Sequence, residues 1–156
     1  MIAQSYKREL LYRKAREKIV CHLYKEKIQF LLDKEIDDSL FLNLIETDSL
    51  ITRLAEGIKI STEHVEFANM RKCFEFASSK IIDGNYFLLL DADWRCCGAY
   101  AHEGPPILNP AFDFNKLYSD EIRLIIADFS TEINIDYSDT HDAKVFEVRI
   151  CKYHPA

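Results

Sequence analysis

The sequence predicts an α+β fold: about three N-terminal helices packed on one face of a C-terminal, mainly antiparallel sheet of about four strands. Two observations carry this. From Ser5 to Lys34 there is no Gly or Pro, and Leu, Lys, Arg, Glu and Ala, all strong helix formers, predominate. After Asn85 helical spacing gives way to short runs with apolar residues at alternate positions, separated by polar connections. Helices first and strands afterwards is the order of an α+β domain. The 156 residues suit one domain, 1–156, with a helical part at about 5–83 and a sheet part at about 85–154.

The first helix is expected over Ser5–Lys34. Tyr12, Ala15, Ile19, Leu23 and Phe30 fall on one face, flanked by Val20, Tyr24 and Leu31, while Lys7, Arg8, Arg13, Lys14, Lys18 and Lys25 lie mostly elsewhere. A continuous helix of that extent would be roughly 45 Å long, so a break near Cys21-His22 or a projecting arm is expected. Asp37-Asp38-Ser39 offers caps for a second helical stretch ending at Gly57, with Asp48 or Ser49 able to divide it. A third helix is expected to start at Ser61 or Thr62, bury Phe67, Met70, Phe74, Ala77 and Ile81, and close at Gly84. Tyr86–Leu90 is a continuous apolar run of strand length, buried on both faces. Residues 98–119, with Gly98, Gly104, Pro105, Pro106 and Pro110, read as a long surface loop. Strands follow at Glu121–Phe129, around Ile133–Tyr137, and around Phe146–Ile150. The apolar parity flips between Ile126 and Ile133, which places a turn or bulge at Asp128–Thr131.

Charge is unevenly distributed. Residues 1–28 carry eight basic and three acidic side chains, whereas residues 81–156 carry six basic and thirteen acidic ones, a net of −7 within a total of −6. A carboxylate-rich half repels phosphate and attracts basic proteins, so nucleic acid is not an expected partner. No apolar run is long enough to span a membrane, and Met1–Glu9 lacks the apolar core of an export signal, so a cytoplasmic location without membrane contact is expected. An odd count of five cysteines without regular spacing predicts reduced thiols. Cys97, His102, Cys151 and His154 form the one arithmetically possible zinc set, but their spacing matches no known finger. No metal and no cofactor is expected.

The sharpest local signal is Phe87-Leu88-Leu89-Leu90-Asp91-Ala92-Asp93-Trp94. An apolar strand ending in Asp-x-Asp puts two carboxylates on one side of its C-terminal end, the oxygen ligands that Mg²⁺ prefers. This segment resembles the strand and Asp-x-Asp of haloacid-dehalogenase-type phosphatases, and Ala68–Asp93 resembles the approach to the Asp-x-Asp of nucleotide-sugar glycosyltransferases. Both resemblances imply a divalent-metal-dependent phosphate-ester or glycosyl-transfer enzyme using Asp91 and Asp93. Both cover fewer than thirty residues, and both families need parallel βα units that this chain lacks. No Gly-rich phosphate loop and no nucleophile elbow is present.

A binding protein is therefore the preferred reading. Its surface is expected at the acidic residues of the sheet part, Asp91, Asp93, Glu103, Asp120, Glu121, Asp128, Glu132, Asp136 and Asp139, with Trp94 and Tyr137 as aromatic anchors among them. The small, acidic α+β chain without catalytic motifs, and the acidic run from Ser119-Asp120-Glu121 to Asp136-Tyr137-Ser138-Asp139, resemble bacterial immunity proteins that neutralise polymorphic toxins, including those of contact-dependent growth inhibition. The likeness is one of overall character, with no shared motif. It implies a non-catalytic protein that covers a basic partner, a cognate and typically nuclease toxin domain. Oligomeric state is not legible.

Overall fold

The computed structural model describes residues 3–140 and 142–156. The long N-terminal helix divides, but at Arg16 rather than near Cys21-His22, into α1 (Gln4–Ala15) and α2 (Glu17–Leu32). The buried face of α2 is Cys21, Tyr24, Ile28, Leu31 and Leu32. Tyr12, Ile19 and Phe30, expected inside, are exposed, and Arg13, expected in solvent, is buried. The break at Arg16 lets the two segments present different faces, so one stripe drawn through both could not describe either.

A 3₁₀ turn (Asp38–Leu40) follows, with the Asp37 carboxylate accepting from the Ser39 N–H. Helix α3 (Leu44–Glu56) is undivided and starts on a reciprocal cap: Asn43 Oδ1 accepts from the Glu46 N–H while the Glu46 side chain accepts from the Asn43 N–H. Gly57 ends it as expected.

The third helix is the main correction. Residues Ile58–Phe67 form strand β1, and helix α4 (Met70–Ser79) begins only at the Asn69 cap, whose side chain accepts from the Lys72 N–H. The expected helical part at 5–83 thus contains a sheet strand. β1 is an edge strand exposed along nearly its whole length, with a register irregularity between Lys59 and Ser61 that breaks its alternation.

The remaining strands are β2 (Tyr86–Leu90), β3 (Tyr100–His102), β4 (Glu121–Ile126), β5 (Thr131–Asp139) and β6 (Lys144–His154); a one-turn helix α5 (Trp94–Cys97) follows β2. Among the described residues all pairings are antiparallel and the sheet order is β1-β6-β5-β4-β2-β3, six strands rather than about four. The β4–β5 turn falls at 127–130, where the parity flip puts it.

Strand parity assigns the faces. Leu88 and Leu90, Ile122 and Leu124, Ile133 and Ile135, and Val148 and Ile150 point to one side, where α2 and α4 cover them. The 98–119 segment is no simple surface loop: Leu108, Phe112 and Phe114 are buried in the same core. The alternate residues Leu89, Ile125 and Phe129 point the other way, under Leu50 and Leu54 of α3. Helices therefore pack on both faces, not on one; α3 lies over the β2–β4 end of its face, with Tyr153 at the end of β6 packed against the same core. Farther along, that face carries Glu121, Asn134, Asp136, Glu147, Arg149, His64 and Glu66. No helix is long and apolar enough to cross a membrane among the described residues.

Cys21 and Cys97 are joined by a disulfide, contrary to the expectation of reduced thiols; Cys73, Cys96 and Cys151 are free. The bond ties α2 to α5 and removes Cys97 from any zinc set. His102, another member of that set, has both ring nitrogens engaged, Nε2 at 2.7 Å from Lys34 Nζ and Nδ1 at 2.9 Å from the Gly104 carbonyl.

Candidate functional site

Asp91 directly follows β2 in the left-handed region, at φ 56°, and its carboxylate is taken up by hydrogen bonds within the protein. Oδ1 accepts from the N–H groups of Asp120 (2.8 Å) and Glu121 (2.9 Å) and from Ser119 Oγ (3.1 Å). Oδ2 accepts from Lys27 Nζ at 2.7 Å, and Lys27 also donates to Asp93 Oδ2 (3.0 Å) and to the Tyr118 carbonyl (3.2 Å). Lys27 is 2% exposed. Burial pushes the Asp91 carboxyl up, but the Lys27 ammonium and the two N–H groups outweigh it and hold it below the usual carboxylate range. The Asp-x-Asp pair is thus a buried ion cluster stapling α2 to the ends of β2 and β4. The ammonium sits between the two carboxylates, where a bridging divalent cation would have to sit.

Other expected binding residues are also taken up by the fold. Glu132 is buried and accepts from Arg123 Nε (2.9 Å) and Nη2 (2.6 Å). The Tyr137 ring packs on Phe114 and Phe146, and half-buried Trp94 bridges the two cores, so neither is a free anchor. Asp128 accepts from Ser130 within the β4–β5 turn, and Glu103 follows β3, which puts both at the opposite end of the sheet from Asp120.

Four of the expected residues lie at the end of the sheet where β4 begins and β5 ends: Glu121 and Asp136 share one face, Asp139 has the parity of Ile133 and Ile135 on the other, and Asp120 sits beside Asp91 just before β4. Register then adds two that the sequence reading missed. Glu121 is paired with Asp136, Asp136 with Glu147, and Glu147 with Glu66, so one row of four carboxylates crosses β4, β5, β6 and β1 on the same face of the sheet as α3. Adjacent strands are ~4.8 Å apart, and like charges placed directly opposite destabilise a sheet. Glu147 was legible only as the polar partner of Phe146 and Val148. Glu66 was hidden inside the expected helix. Their common row depends on strand pairings that no local pattern encodes.

The next row along these strands is Arg123, Asn134, Arg149 and His64. Arg123 is held by Glu132, and His64 Nε2 lies 3.4 Å from Glu147 Oε2. Asn134 is 8% exposed; its Nδ2 donates to Glu121 Oε2 at 3.1 Å, but its Oδ1 receives no hydrogen bond among the described residues. Burial, together with the negative charge of Glu121, raises the Asp136 carboxyl to about 6; Arg149 opposes the shift, and Glu147 and Asp120 add to it. At the β1 end, His64, Glu66 and Glu147 bring ligand atoms within 4.8 Å of one another in an exposed setting. What the row offers chemically is a line of acceptors short of donors. Comparison with protein-family models, curated proteins and solved structures finds no match to this chain.

Proposed function

We propose that this protein is a non-catalytic binding module whose carboxylate row holds a basic protein, and that this partner is a toxin domain, a nuclease by its basic character, neutralised in the manner of the immunity proteins the chain resembles. The observation that carries the reading is the in-register row Glu121–Asp136–Glu147–Glu66, three carboxylates half-buried and the last exposed. Four opposed carboxylates work against folding, and a stretch of surface that keeps them is explained by a cation that arrives later. Complementary charge also speeds encounter and discriminates against wrong partners.

Candidate chemistry elsewhere is engaged in structure. The Lys27 ammonium lies between Asp91 and Asp93, Cys97 is disulfide-bonded, and both nitrogens of His102 are occupied. The metal-dependent transferase or phosphatase reading would require Lys27 to be displaced from both carboxylates.

The test is charge reversal in the row, Glu121→Lys with Glu147→Lys, followed by recovery of partners from the native host at low salt. The parent is expected to retain a basic protein in stoichiometric amount, releasable by raising the salt, and the double variant to lose it together with protection of the cell. An unchanged protection phenotype in a folded variant, or turnover of a phosphate ester or sugar nucleotide by the parent, would overturn the proposal.

A further inference from the structure

Resting on that reading of the row as a surface for a basic protein, we infer that its occupant is an α-helix of the partner carrying arginines one turn apart, with one guanidinium seated at Asn134, Glu121 and Asp136. Two independent observations lead there.

The first is spacing. The four carboxylates lie across the strands, so they repeat at the strand separation of ~4.8 Å. A helix presents one side chain per turn at ~5.4 Å, and over three intervals it drifts from the row by only about 2 Å, within the reach of an arginine. An extended segment presents side chains on one face about 6.7 Å apart, and over the same distance it falls out of step by about 6 Å. A helix laid perpendicular to the strands therefore meets all four carboxylates; a strand does not.

The second is Asn134. Its carboxamide reaches the row, since Nδ2 donates to Glu121, yet its Oδ1 is buried without a donor. A buried acceptor left unsatisfied is costly, and the charge of neighbouring Asp136 is opposed by Arg149 without a salt bridge between them among the described residues. Glu121 and Asp136 are half-buried, and with the Asn134 carboxamide turned so that Oδ1 meets an arriving donor the three offer acceptors to one cation. A guanidinium offers five in a flat fork and bonds two acceptors at once, whereas an ammonium offers three from a point. The row as a whole stays negative: Arg123 is neutralised by Glu132, which leaves Arg149, among the described residues, as the cation beside Glu66, Glu121, Asp136 and Glu147, with the His64 ring at Glu147.

Calorimetric titration of the full chain, in low salt with a chelator present, tests this with three synthetic peptides of equal charge. One is an alanine-based helix with arginines at i, i+4, i+7 and i+11; one is the same helix with lysines; one is a Ser-Arg alternating peptide that favours the extended state. The arginine helix is expected to bind at least about tenfold more tightly than either of the others. In Asn134→Leu the arginine helix should lose its advantage over the lysine helix while both keep their salt dependence. Should Asn134→Leu fail to fold, Glu121→Gln is the substitute, with the same collapse of preference expected. Equal or tighter binding of the extended peptide, an arginine preference that survives in the folded variant, or salt-sensitive self-association that seats the chain's own basic α1 on the row would overturn the inference and leave the basic-partner reading standing. If none of the three peptides binds, or binding ignores salt, the inference and the reading it rests on both fail.

Discussion

A lysine taken out of water destabilises a fold by several kcal/mol unless its charge is met, and at Lys27 it is met by two carboxylates and a carbonyl. Lys27→Met would leave Asp91 and Asp93 facing each other at a buried position. The expected loss is about 3–5 kcal/mol of unfolding free energy, measured by urea denaturation. Asp91→Asn should also destabilise strongly, because it weakens acceptance from Lys27 and from the Asp120 and Glu121 N–H groups together; an unaffected midpoint would return Asp91 to the list of free surface acids. The strand-end Asp-x-Asp was legible, since an apolar run followed by Asp91 and Asp93 fixes where they lie. Their role was not, because Lys27 is 64 residues away from Asp91 and reads locally as one more charged helix position.

Asp136 makes a prediction in pH. Its folded value of about 6 lies above the ordinary 3.8, so the folded state takes up a proton where the unfolded chain does not. The sign follows: the contribution of Asp136 is most favourable below the ordinary carboxylate range and is lost as pH rises through about 6. Asp136→Asn should therefore stabilise the protein by about 1 kcal/mol near neutral pH, after allowance for solvent screening, and by almost nothing where the carboxyl is already protonated. Thermal melts across that range read the difference. A variant less stable than the parent at neutral pH would assign Asp136 to a structural pair instead.

Among the elements, α1 is attached by polar contacts more than by packing. Arg13 donates to both oxygens of Asp48, at 2.7 and 2.9 Å, and to the Arg95 carbonyl, and Tyr6 donates to the same Asp48 carboxylate. Leu11 and Tyr12 remain exposed. Burial raises the Asp48 carboxyl, but Arg13 and Tyr6 outweigh it and hold it low, so this latch is intact above the ordinary carboxylate range and weakens as pH falls. Asp48→Ala is expected to speed amide exchange throughout α1 while leaving the β4 and β5 amides protected, as hydrogen-exchange mass spectrometry would show. Equal exchange in parent and variant would mean that α1 is held some other way.

The elements also show where sequence reasoning stopped. β2, β4, β5 and β6 were legible because each keeps one apolar parity or a continuous apolar run. β1 was not: its irregularity after Lys59 shifts Ile58 and Ile60 out of step with Val65 and Phe67, and Phe67 fits the helical stripe of Met70, Phe74 and Ala77 equally well. Asn69 carried the missing signal, a cap directly before that stripe. Asn43 with Glu46 marked α3 in the same way. Arg16 gave no comparable sign, having neither a breaker nor a side-chain cap.

For the molecule as a whole, the Cys21–Cys97 bond closes a loop spanning 76 positions. On chain-entropy grounds it stabilises the fold by about 4 kcal/mol. Reduction, or Cys21→Ser, should lower the denaturation midpoint accordingly, and a midpoint insensitive to reductant would show that the reduced chain holds the same packing unaided. The polarity of charge was legible from the start, as a basic first helix and a C-terminal half of net −7. Long-range strand pairing then concentrates part of that charge into one line, and two of its four members lay outside any local acidic pattern.

The claim that this line is kept for a partner and not for the fold is tested most directly by thermal unfolding of the variant carrying Glu66→Gln, Glu121→Gln, Asp136→Asn and Glu147→Gln together, at low salt and neutral pH. The variant is predicted to melt about 3–6 °C above the parent, with the gap narrowing as salt is added. A variant that melts below the parent would mean that these carboxylates hold the sheet together, and the binding account would lose its foundation.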